Sequence, residues 1–112
     1  SAPADATAAG LVGLKEDRKA QRETAAAQRQ QKLALRRPLL KESTQLEARM
    51  ARLEPERKER EAKLADTAYY ARTPSAEVQA TSRRCAEVIA ELGDVEERWL
   101  EVHAELEVIG DA

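Results

Sequence analysis

The densest run of chemistry-bearing side chains in this sequence is basic. Between residues 18 and 41 stand eight cations, Arg18, Lys19, Arg22, Arg29, Lys32, Arg36, Arg37 and Lys41, against one acid, Glu23. Clustered Lys and Arg without competing carboxylates neutralise phosphates, in a contact that weakens steeply with salt and is largely indifferent to base sequence. Phosphate-directed charge carries no base information, so RNA and DNA stay equally open. The bland alternative is the solvated face of a linker helix.

The remaining reactive residue types read as packing. Tyr69 and Tyr70 can stack on bases or fit a protein groove, but aromatics at a turn more often fold back to close the end of a core, which leaves at most one of them free. Trp99 recurs in step with Leu92 and Leu106, and Cys85 shares that spacing, so both read as core, with Cys85 a buried thiol rather than a nucleophile. His103, the only histidine, has no Ser, Cys or carboxylate arranged as a triad or metal site and is assigned to the surface. No GxxxxGK[ST] phosphate loop is present. The expected chain is therefore non-catalytic, with no metal and no cofactor of its own.

Those residues must be positioned by long helices. Apolar residues make up 42% of the chain and charged ones 36%, with no Phe, which is poor material for a globular core and good material for helices with charged outer faces. Residues 1–14, small and broken by Pro3, Gly10 and Gly13, read as a flexible linker, and residues 15–37 as a basic, helical arm. A first hairpin helix is expected over 38–65, kinked near Pro55 because proline removes one backbone bond and crowds the preceding turn. Its seam is Leu39, Leu46, Met50, Leu53 and Leu64, with Arg57 and Arg60 at seam positions. Residues 66–74 form the turn, after which Thr73 is placed to cap a helix that Pro74 and Glu77 favour at its first turn. That second helix, 75–109, carries a nearly complete seam: Val78, Cys85, Leu92, Trp99 and Leu106 on one line, Thr81, Val88, Val95, Val102 and Ile109 on the other. Gly110 stops it, leaving a tail over 110–112.

A short loop between two such helices makes them antiparallel. One register pairs Leu64 with Val78, Leu53 with Val88, Met50 with Leu92, Leu46 with Val95 and Leu39 with Val102. It also sets Ser43 opposite Trp99, and Arg57 and Arg60 opposite Cys85 and Thr81. The fold expected is all-α: a two-helix antiparallel coiled-coil hairpin with a flexible N-terminal linker, marginally stable and monomeric in isolation. Charge agrees, since residues 15–63 hold fifteen Lys/Arg against nine Asp/Glu and residues 64–112 four against eleven. A lone cysteine and apolar runs far short of the roughly 20 residues of a membrane helix point to a cytoplasmic setting.

Four stretches taken in order, KEDRKAQRE from Lys15, RRPLLKE from Arg36, KLADTAYY from Lys63 and WLEVHAELE from Trp99, resemble the C-terminal domain of ABC-F ATPases, in the pattern of YheS-like members and more distantly of Uup. The resemblance implies a parent with two ATP-binding cassettes and no membrane domain, acting on ribosomes or, for Uup-like members, on branched DNA. ATP would belong to the parent's cassettes. This chain would be the appendage, contacting ribosomal RNA, tRNA or structured DNA through the basic arm and first helix. The competing function is a protein-interaction or spacer coiled coil that docks on ribosomal protein, on its own cassettes or on a second copy. Pro55, Arg57 and Arg60 depart from the common pattern of that family.

Overall fold

The computed structural model describes residues 2–111, with side chains from Thr7 onward. Ser1 and Ala112, the outermost residues of the expected linker and tail, lie outside the described residues. Three helices follow one another: α1 (Ala2–Ala65), α2 (Thr67–Arg72) and α3 (Ser75–Ile109). The molecule is a rod, 104 × 16 × 15 Å.

Helix α1 continues through regions where the sequence reading expects a linker and a kinked, separate helix. Ala-rich stretches and long unbranched side chains favour the helix. Pro3 sits in its first turn, where a missing N–H costs little. Gly10 and Gly13 weaken the helix there without breaking it. Pro38 and Pro55 both lie inside α1, each depriving one carbonyl of its helical donor while the surrounding turns hold the helix together.

The turn contains a third helix that a two-helix hairpin lacks. Asp66 caps α2 by accepting a hydrogen bond from the Ala68 amide at 3.0 Å. Thr73, the expected cap of the following helix, instead ends α2 in extended conformation, as the residue before a proline must. Pro74 takes the capping position of α3 with no side-chain hydrogen bond, and its carbonyl accepts from the Glu77 and Val78 amides. Tyr69 is buried here, its hydroxyl 2.8 Å from Thr81 Oγ1, whereas Tyr70 is 49% exposed and donates to the Leu64 carbonyl at 2.9 Å. The tip thus keeps one aromatic in the core and one at the surface.

Helix α3 returns along the C-terminal half of α1. Leu46, Leu53, Val88, Leu92, Val95, Val102 and Leu106 form the core, with Leu39, Met50 and Trp99 packed against it. Most of the expected seam lines this core, while Leu64, Val78 and Ile109 are only half-buried. Along one flank run three cross-helix ion pairs: Arg98 grips Glu42 through Nε at 2.6 Å and Nη2 at 2.8 Å, Arg49 meets Glu91 at 3.0 Å, and Arg84 grips Glu56 at 2.7 and 3.0 Å. The α1 members rise by heptads while the α3 members descend by heptads, and the sign alternates at each step. A slip of one heptad in either direction would set Glu against Glu and Arg against Arg. The flank thereby specifies the register that the apolar seam only favours.

Arg57 and Arg60, expected to face Cys85 and Thr81 across the seam, turn to carboxylates of their own helix. Arg57 pairs with Glu54 at 2.7 Å and Glu61 at 3.0 Å, and Arg60 with Glu56 at 3.3 Å. A guanidinium at a seam position escapes desolvation by reaching out along its apolar stem to an anion one turn away. Cys85 stays buried as a free thiol.

Candidate nucleic-acid interface

Helix α3 ends opposite Arg36. Gly110 stops it with φ 81°, a conformation glycine alone adopts freely, and its amide donates to the Leu106 carbonyl. Arg36 Nη1 donates to the Gly110 carbonyl at 2.8 Å and to the Leu106 carbonyl at 3.3 Å, with Nη2 4.0 Å from Asp111. A cation is favourable there because the last carbonyls of a helix carry the negative end of its dipole. Arg36 therefore serves as a helix cap as well as a member of the basic run.

The other seven cations differ from it. Arg18, Lys19, Arg22, Arg29, Lys32, Arg37 and Lys41 are exposed, and among the described residues none has an ion pair or side-chain hydrogen bond. Five of them, Arg18 to Lys32, lie on the part of α1 that extends beyond α3. This arm also exposes Leu11, Val12, Leu14, Leu33 and Leu35. Its conformation comes from helical propensity alone, with no second helix of this chain beside it. A polyanion can reach these side chains without displacing a carboxylate.

Inside the hairpin many of the same residue types are engaged, although Arg52, Lys58 and Arg83 are exposed without an ion pair among the described residues. The Arg98 hydrogen bonds hold the Glu42 carboxyl below its ordinary 4.5, and those of Arg84 do the same for Glu56, with Arg60 adding to the effect. Reciprocally, the Arg84 and Arg98 guanidiniums are raised, first by Glu56 and Glu42. These groups are engaged with one another across the hairpin.

A polar cluster on the opposite flank escaped the sequence reading. His103 Nε2 lies 2.9 Å from Ser43 Oγ, and its ring stacks on Trp99 with centroids 4.0 Å apart. The Trp99 indole donates to Glu47 at 3.2 Å. His103 is thus half-buried rather than a free surface residue, and Trp99, half-buried, packs against the core as expected. Ser43, which the expected register sets opposite Trp99, bonds the histidine and also lies 3.5 Å from Glu47 Oε1. Trp99 and His103 stand one helical turn apart, but the contacts that bring Ser43 and Glu47 to them join residues more than fifty positions apart, which sequence spacing does not announce. Among the described residues no cluster suited to a metal ion occurs, and no helix is long and apolar enough to cross a membrane.

No curated protein and no solved structure matches the chain. Residues 34–104 match the family described as ABC transporter C-terminal domain, a span that takes in most of the hairpin seam, the ion-pair flank and the turn while leaving most of the arm outside. With well over half of its length matched, the chain belongs to the ABC transporter C-terminal domain family.

Proposed function

We propose that the chain is the accessory C-terminal domain of an ABC-F type ATP-binding protein and holds nucleic acid through its basic arm. The observation that carries this reading is the set of exposed, unpaired cations on α1, set against the engaged arginines of the hairpin. The domain works by binding alone; ATP and its hydrolysis belong to the cassettes of the parent polypeptide, to which this hairpin is joined. Ribosomal RNA, tRNA and structured DNA all present the phosphate backbone such an arm takes.

Fluorescence anisotropy with labelled RNA and DNA duplexes tests the proposal. Affinity is expected to fall steeply between about 50 and 200 mM salt. Absence of binding to either at low salt would sink it, and would favour a protein-docking or spacer role instead.

A further inference from the structure

The seam positions of α1 recur by alternating steps of three and four at Leu39, Ser43, Leu46, Met50 and Leu53, all buried or packed against the core. The same alternation carried toward the N-terminus gives Arg36, Lys32, Arg29, Ala25, Arg22, Arg18 and Lys15. Every position but Ala25 is a cation. At about 100° per residue these seven side chains fall within one arc of about 100°, whereas Glu16, Asp17 and Glu23 fall on the far side. Lys19, Arg37 and Lys41 also lie outside the arc, about a quarter turn or more from its centre. Arg36 marks the junction, since its guanidinium holds the C-terminal carbonyls of α3.

From these positions, and resting on the nucleic-acid reading above, we infer that the face of α1 that packs α3 inside the hairpin becomes, beyond Arg36, a phosphate track built by Arg18, Arg22, Arg29 and Lys32. The backbone of one nucleic-acid strand lies along this track in line with α3. Arg18 to Lys32 spans about 21 Å of helix. That length lets the four cations meet several successive phosphates of one strand. Arginine forks suit phosphate oxygens bidentately. A protein helix is the poorer occupant: continuing the coil would need apolar residues on this seam line, and between Arg36 and Lys15 only Ala25 offers one.

The test compares two variants of the whole chain with equal loss of charge. Arg18→Gln/Arg22→Gln/Arg29→Gln removes cations from the track, and Lys19→Gln/Arg37→Gln/Lys41→Gln removes them from outside it. Glutamine supports helix almost as well as arginine, and circular dichroism checks that both variants keep their helicity. The track variant is expected to lose more than about tenfold in duplex affinity and to flatten the slope of log affinity against log salt by about 2.7. The off-track variant is expected to lose less than about threefold. Equal losses would overturn the track and leave nucleic-acid contact standing, as net charge alone. No binding by the unmodified chain would overturn both readings. A polyglutamate peptide that displaces duplex at equal charge concentration, and does so only from the track, would assign the face to an acidic protein instead.

Discussion

The arm and the hairpin of α1 are built from the same residue types and differ in what lies opposite. Within the hairpin, Arg49, Arg84 and Arg98 each reach a carboxylate on the other helix, and Arg57 and Arg60 reach carboxylates on their own. On the arm, Arg18, Lys19, Arg22, Arg29 and Lys32 have no such partner among the described residues. A guanidinium beside a neighbouring carboxylate is engaged within the fold, and the same group without one stays in solvent. The comparison also separates two sources of helicity, tertiary packing in one region and intrinsic propensity in the other.

The contrast predicts separable defects. Leu92→Ala, at a residue 4% exposed in the core, is expected to cost about 2–5 kcal/mol and to lower the melting temperature of the hairpin sharply. Glutamine substitutions on the arm should leave that transition in place. Helical signal that melts in one step for both regions would break the comparison.

Pro55→Ala is expected to act in the opposite direction. It restores a donor for the Ala51 carbonyl inside α1 and should stabilise the hairpin by up to about 3 kcal/mol, read as a higher denaturation midpoint in urea.

The ion-pair flank sharpens the hairpin side. Glu42→Arg sets two guanidiniums face to face and should lower the melting temperature, and adding Arg98→Glu should recover most of the loss; a double variant no better than the single one would remove the flank from the account of register. Glu42 and Glu56 titrate below the ordinary 4.5 when folded, so their contribution is fully present above about pH 4.5 and is lost as pH falls through the lowered values. A melting temperature that holds above that pH and declines below it is the expected profile.

The smallest effect expected is that of Gly93→Ala. An added methyl group there meets no atom within 4 Å, so the change acts on helix propensity and should stabilise α3 by about 0.5–1 kcal/mol. Gly10→Ala and Gly13→Ala should raise the helical signal of the arm without moving the hairpin transition.

Much of the hairpin is legible in the sequence because a coiled seam is a local periodicity. Leu46, Leu53, Val88, Leu92, Val95 and Val102 announce their burial by spacing alone, and the antiparallel register follows from the length of the turn. Asp66, Thr73 and Pro74 were harder to place, because two capping residues eight positions apart suit either one helix start or two, and only the backbone at Pro74 selects. The alternating charges at residues 42, 49 and 56 and at 84, 91 and 98 were open to inspection once the seam was assigned, as the positions flanking it. The basic run was legible as composition; its division into a helix cap and a face of unpaired cations was not.

The sequence by itself determined that this chain is helical, where it turns back and which residues line most of the seam, since these depend on propensities and on periodicity within each helix. Only the tertiary structure decided that Arg36 caps α3, that Arg57 and Arg60 leave the seam for carboxylates of their own helix, and that His103 joins Ser43 and Trp99. The physical reason is that a charged or polar side chain has no fixed destination along its own helix. Its partner is chosen by whichever donor, acceptor or solvent the opposite helix leaves within reach.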